Sequence, residues 1–375
     1  RLASALPFLV LALLSLPQHA LAAYSTQITK ASTWLLSKQN ADGSWGAYQS
    51  ETAEDFGSQV YINVNAAGNA SYYAYVQTYL LTLETVDALQ AANLRSSNYY
   101  RGLTWLQNNS ADNTDFRARL IAILGLSGSS VSSLAAQLRS TVISGHEDWG
   151  LGSFYLRSPL DTGLALYSML SFAPPFFVDG TAAVNYLKSS QLSGGGWALS
   201  SEAVPDIPST VWVLKALLKQ QQITPADTSL NTAITNGVNT LKNTVSAGDT
   251  VVVKALTAQV VLMAGQATAA QPWLASLVTQ QATNGSFGSL SIHETALALR
   301  VFAAADGLDT SANRESILIP DAALRNAINK ALGRNAMDNL DRAELAKLTV
   351  LNAVNLGITD LTGLENAINL TSANF

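Results

Sequence analysis

Between about residues 24 and 315 the chain repeats one coarse unit six times, and this repetition restricts its folding more than any other feature. Each unit has an amphipathic segment, a Gly- and Asn-rich loop that often holds an aromatic, and then a more apolar segment. The first unit reads ASTWLLSKQNADGSWG and then YVQTYLLTLETVDAL. Matching anchors recur as TWL at 33–35 and 104–106, NYL at 185–187 and PWL at 272–274. Trp45, Trp149, Trp197 and Phe287 hold matching loop positions. The first segments carry polar gaps, such as Lys188 and Gln191, so one face meets solvent. The second segments, such as TALALRVFAAA, read as apolar nearly all round and are expected to be buried. An inner helical layer covered by an outer one follows, which makes the class all-α. Periodicity alone does not choose between an open stack and a closed ring.

The loop QNADGSWG is formed by Gln39, Asp42, Gly43, Ser44, Trp45 and Gly46, and weaker copies run from Gln191 to Trp197 and from Gln281 to Gly288. It resembles the QW signature of the terpenoid-cyclase and protein-prenyltransferase repeat superfamily, which includes the squalene cyclases. The resemblance implies an α/α toroid of about six helical hairpins over residues 23–315. It also implies a structural role for Gln39, Asp42, Gly43, Trp45, Gly46, Trp149, Trp197 and Phe287. A large rigid loop ring pins adjacent helices well.

Each chemistry hosted by that fold makes a demand on this chain. Class II terpene cyclases resemble one another in an Asp-x-Asp-Asp-Thr-Ala run, whose acid protonates an alkene. Here the nearest match is Ser158-Pro159-Leu160-Asp161-Thr162-Gly163, with only the last Asp of the triplet. Prenyltransferases hold zinc with Asp, Cys and His, and thioester domains need a reactive Cys; the chain has no cysteine. His146 and His293 lack metal-ligand spacing, so neither a metal nor a cofactor is expected. Sugar-cleaving relatives need two carboxylates about 5–10 Å apart. Glu54, Asp55, Asp148, Asp161, Glu202, Asp206 and Glu294 are loose candidates for these. Any ligand site is expected where the inner-helix N-termini converge. The weak catalytic candidates there are Asp161, Asp206, His293 and Glu294, with Trp149, Trp197 and Trp212 close in sequence. Capping is the default role for acids at helix starts. Core packing is the default for Tyr72, Tyr73, Tyr75 and Tyr79. The oxygen-rich loop Asn108 to Asp115 reads as turn chemistry before calcium. Sequons at Asn69, Asn108, Asn284 and Asn369 are expected by chance in a chain so rich in Asn, Ser and Thr.

The two ends differ from the array. Leu6 to Leu16 are nearly all apolar, and Ala20-Leu21-Ala22 follows as an A-x-A cleavage site. This run is too short to span a bilayer but suits a signal peptide over residues 1–22, with the mature chain starting near Ala23. A secreted or cell-surface location is expected, and a cysteine-free exported protein suits a bacterial source. The formal net charge of −5 offers no basic excess, so nucleic acid is not an expected partner. Residues 316–375 read as a helix after Ile319-Pro320-Asp321, a short helix capped by Asp341, and an L-x-x-L pattern. Leu348-Thr349 recurs as Leu370-Thr371, a 22-residue period. The stretch resembles the cap and first repeat of bacterial, internalin-like leucine-rich-repeat proteins. Because a single repeat cannot bury its own face, and because the chain begins without Met, a fragment truncated at both ends is expected. The expected function is surface binding of a protein or glycan through those repeats, beside a non-catalytic toroid with a possible small hydrophobic ligand at its centre. The alternative is an exported enzyme of the toroid fold, either isoprenoid cyclase-like or polysaccharide-degrading.

Overall fold

A computed structural model describes residues 23–46, 70–109, 111–127, 129–142, 148–152, 156–172, 180–199, 204–307, 317, 319–334, 340, 342–345, 347–367 and 369–375. The leader 1–22, Glu54, Asp55, Asn69, His146, Glu202 and Asp341 lie outside the described residues, as do the side chains of Tyr72, Tyr73 and Tyr75. Among the described residues six hairpins alternate outer and inner helices. The outer helices are α1 (Ser25–Leu36), α3 (Ser97–Asn108), α5 (Ser132–Ser140), α7 (Thr181–Ser189), α9 (Thr228–Thr244) and α11 (Ala267–Gln280). The inner ones are α2 (Ala70–Ala91), α4 (Thr114–Ser127), α6 (Pro159–Phe172), α8 (Ile207–Ile223), α10 (Val251–Met263) and α12 (Ile292–Ala305). Each inner helix packs on the next, and α12 packs back on α2, so the ring closes. Each outer helix covers the inner helix of the preceding hairpin, and α1 covers α12. The all-α toroid is therefore the fold of this chain.

The loop motif explains how neighbouring hairpins lock. Trp45, Trp149, Trp197 and Phe287 are fully buried. The indole N–H groups of the tryptophans donate to the last turn of their own outer helix, at Leu35 O (2.7 Å), Leu138 O (2.9 Å) and Leu187 O (2.6 Å). Their backbone N–H groups donate to a threonine of the inner helix: Thr82 midway along α2, and Thr162, Thr210 and, for Phe287, Thr295 in the first turn of theirs. The motif glutamine then reaches the next hairpin. Gln39 Nε2 donates to Gly43 O and Asn98 O, Gln191 Nε2 to Gly195 O and Ala233 O, and Gln281 Nε2 to Gly285 O and Gln27 O. The last of these bonds joins hairpin six to hairpin one. Asp42 accepts from the Ser44 N–H and hydroxyl and from the Trp105 indole. Gly43 has φ +98°, and a Cβ there would lie 2.8 Å from Arg101 O on α3, so only glycine permits this approach. Gly46 presents its carbonyl to Asn40 Nδ2 at 3.1 Å.

The next outer helix makes room for the ring. A Cβ on Gly102 would sit 2.5 Å from Trp45 Cζ3, and one on Gly237 would sit 2.7 Å from Trp197 Cζ3. Hairpin five lacks the aromatic, and Lys254 fills the place of the clasp threonine. Its ammonium donates to Ala247 O, Ser276 Oγ and Gln280 Oε1 at 3.2, 3.0 and 2.7 Å.

A second, smaller apolar core gathers Ile319, Leu324, Ile328, Leu340, Leu345, Leu348 and Leu351. It holds α13 (Ala322–Ala331), the short α14 (Arg342–Leu345), β1 (Val350–Asn352) and β2 (Ser372–Asn374). Asp321 caps α13 through Ala323 N and Leu324 N, and its other oxygen accepts from Thr359 N–H at 2.8 Å. The strands pair in parallel with Val350 opposite Ser372, an offset of 22 residues.

Candidate functional site

The inner helices turn one stripe each toward the ring centre. Four- and three-residue steps put Leu80, Glu84 and Asp87 of α2 on one face, as they do Pro208, Trp212 and Lys215 of α8. Val252, Leu256 and Gln259 of α10 and His293, Leu297 and Arg300 of α12 repeat the spacing. Asp115 and Arg119 of α4 and Leu160 of α6 complete the wall. Four of these inner helices, α2, α4, α8 and α12, are therefore not apolar all round. The expectation fails because a helix inside a ring has a lumen face as well as packing faces, and here the lumen face is charged.

Those charges pair across the lumen. Arg119 donates from Nε to Asp115 Oδ1 and from Nη1 to Glu84 Oε1. Arg300 forms an ion pair with Asp87. The two acids of α2 are thus held from both neighbouring helices, α4 and α12. Burial works to raise the Glu84 pKa, but Arg119, then His293, Arg300 and Lys215, outweigh it and hold the carboxyl below its ordinary value. At Asp115 burial wins over Arg119, and the pKa is raised. Trp212 carries cations on its ring: Lys215 Nζ lies 3.9 Å and Arg119 Cζ 4.8 Å from the centroid.

Little space remains. The volume open to the centres of water molecules is about 40 Å³ in the main chamber. A second chamber of about 20 Å³ lies beyond the ion pairs, against Leu83, Ala122, Ile123, Leu126, Tyr167 and Phe172. At roughly 10–15 Å³ per water, the larger chamber holds about three waters.

Of the four candidate residues, only His293 lines this lumen. Asp206 is the N-cap of α8 and accepts from the Ser209 N–H (2.8 Å) and hydroxyl (2.6 Å). Glu294 stands in the first turn of α12, where its backbone N–H donates to the capping hydroxyl of Ser291. Asp161 is buried in the first turn of α6. Its Oδ2 accepts from the Ser158 hydroxyl at 2.6 Å, and its N–H donates back to Ser158 Oγ. The other oxygen, Oδ1, is buried without a hydrogen-bond partner. Burial foremost, with Asp115 adding, pushes its pKa up to about 7 against the lowering bond from Ser158. Trp149 and Trp197 belong to the loop clasps, and only Trp212 reaches the lumen. Tyr79 is fully buried and stacks on Phe116 at 4.7 Å. The loop before α4 is used for capping: Asn113 Oδ1 accepts from Phe116 N–H, and Asp115 is already helical and bound to Arg119.

Sequence reasoning passed over Glu84, Asp87, Arg119, Lys215, Gln259 and Arg300. The available signal was a charge recurring inside otherwise apolar segments, in ETVDAL, FRARL, VLKAL and LALRVF. Among the described residues no group of three His, Asp or Glu side chains could hold a metal ion, and no helix is long and apolar enough to cross a membrane.

At the level of sequence, no family model and no curated relative matches the chain. Solved structures match by shape. The type II terpene cyclase MstE from Scytonema superposes with a TM-score of 0.53 at 13% identity, over 76% of this chain and 99% of that one. A single-residue variant of it in complex with geranylgeranyl dihydroxybenzoate gives 0.54 at 14% identity, over 76% and 97%. A glycosidase variant gives 0.52 at 11% identity, over 78% and 99%. Likeness at this identity shows the toroid fold, which terpene cyclases and a glycosidase share with this chain.

Proposed function

We propose that this is an exported, surface-acting binding protein whose toroid is a non-catalytic scaffold. The observation that carries the reading is the occupied lumen. An isoprenoid cyclase needs room for a folded polyene and free aromatic faces for a carbocation. Here about 40 Å³ is open, and the lumen's Trp212 already carries Lys215 and Arg119. A glycosidase needs two independently placed carboxyls, whereas Glu84 and Asp115 share one guanidinium. Partner binding is assigned to residues 316–375 as the start of a leucine-rich-repeat domain, with protein or glycan as the partner. The parallel strands offset by 22 residues, with Leu351 inward and Val350 and Asn352 outward, support that assignment. Export rests on the apolar Leu6–Leu16 run and the A-x-A site.

The enzyme reading has one specific observation in its favour: Asp161 is a buried carboxyl beside the lumen with a free oxygen and a pKa near 7. A small hydrophobic ligand at the ring centre belongs to the same reading. The test incubates the purified chain with a polyprenyl substrate and, separately, with polysaccharide, beside Asp161→Asn. No product from either chain supports the scaffold. Turnover by the wild type that vanishes in a folded Asp161→Asn overturns it. Peptide and glycan arrays then probe the binding role, where Val350→Glu should remove any specific signal.

A further inference from the structure

Helix α1 starts without a local cap. Tyr24 holds the N-cap position, and its side chain caps nothing. The partner comes from the far end of the ring. Asp306, the C-cap residue of α12, accepts the Tyr24 backbone N–H on both carboxylate oxygens, each at 3.1 Å. The Tyr24 ring stacks on Phe302 at 5.0 Å, its hydroxyl donates to Gln271 Oε1, and Gln281 reaches Gln27 O nearby. This is the seam where the first and last hairpins meet. Asp306 is half-buried, and burial raises its pKa while the Tyr24 N–H works against it. Among the described residues no cation pairs with it.

One residue before Tyr24 stands Ala23, exposed, and just before it the sequence reads Ala20-Leu21-Ala22. We propose that a peptidase hydrolyses the Ala22–Ala23 bond and that the new α-ammonium of Ala23 pairs with Asp306, so that maturation fixes the seam of the toroid. The inference rests on the export reading above. Water adds across the amide: the Ala22 carbonyl leaves as a carboxylate, and the Ala23 nitrogen leaves as an amine that takes up a proton. Before the cut, position 23 offers a neutral amide. After it, the same place offers a cation with three donors. A lone ammonium is unfavourable at the positive end of a helix. Asp306 lies 3.1 Å from the next backbone nitrogen, that of Tyr24, and an opposite charge so close along the chain favours the ionised amine.

The experiment compares the chain begun at Ala23 with the same chain N-acetylated, each also as Asp306→Asn. The α-amine is titrated by pH-dependent labelling, and thermal midpoints are read for all four. The pairing predicts an amine pKa about half a pH unit above the usual range of about 7.7–8.0, returning to that range in Asp306→Asn. It also predicts a larger fall in Tm on Asp306→Asn in the free-amine chain than in the acetylated one. Equal falls in both chains, or an amine that titrates in the usual range beside Asp306, overturn the pairing. Sequencing the N-terminus of the exported protein separates the two readings. A terminus at Ala23 supports the cut, and a terminus elsewhere overturns the cut and this use of the leader while leaving the pairing to its own result.

Discussion

Asp161→Asn should make the protein more tolerant of alkaline pH, and the size of the effect follows from the geometry. Asp161 is 3% exposed, spends one oxygen on Ser158, and leaves the other buried and unbonded. Its folded pKa is about 7 against an ordinary 3.8. The folded state therefore holds a proton that the unfolded chain has released. Stability from this group is fully present below about pH 4 and is lost as pH rises toward and through 7. The gap is about three pH units, so at about 1.4 kcal/mol per unit ionised Asp161 costs roughly 4 kcal/mol above pH 8. Asparagine keeps the shape and the acceptor for Ser158 but cannot ionise. Urea unfolding at intervals from pH 5 to pH 8.5 gives the stability difference between variant and wild type at each pH. That difference should climb by about 2.5–3 kcal/mol in favour of the variant across the range, because only the two pH units between 5 and the folded pKa of about 7 fall inside it. The difference cancels the other carboxyls, whose titration is common to both chains. A flat difference curve would refute the reasoning, because it would mean that Asp161 is ionised in the folded protein throughout.

Two further substitutions test the packing and the lumen. Gly237→Ala drives a methyl to within 2.7 Å of the Trp197 ring and 2.9 Å of Leu214, and should cost about 1–3 kcal/mol; Gly194→Ala, which meets nothing within 4 Å, should be neutral in the same denaturation series. Arg119→Met strands Glu84 and Asp115 as buried acids and should cost about 3–5 kcal/mol, with Glu84→Gln and Asp115→Asn in the same chain restoring much of it. If Arg119→Met alone is neutral, the lumen pairs do not hold the ring.

The toroid was legible because its determinants are local and repeated. Gln39, Gly43 and Trp45 recur in kind at Gln191, Gly195 and Trp197, and again at Gln281, Gly285 and Phe287. Each copy makes the same bonds to its own loop and to the next hairpin. Hairpin five was harder, because Lys254 replaces the clasp threonine with a different chemistry that ends on the same kind of neighbour. The lumen was not legible. Arg119 reads as one of two arginines in RARLIAIL, and its two acids lie 4 and 35 positions away, one on another helix. Similarly, Asp161 and Asp206 read alike as acids at helix starts. Asp206 is half-buried and accepts both of its capping bonds on Oδ2, whereas Asp161 is buried and its Oδ1 is shut away from water without a partner.

From the sequence alone follow the all-α class, the six hairpins, the loop residues that join them, and the cysteine-dependent chemistries that are excluded. Those features depend on periodicity and on contacts between adjacent units, which a repeat writes out in order. Tertiary structure decided that the ring closes, with Asp306 meeting Tyr24 across 282 residues, and that its centre is filled by paired charges. Ring closure sets side chains from six separate helices against one another, and no local pattern records which of them will face the middle.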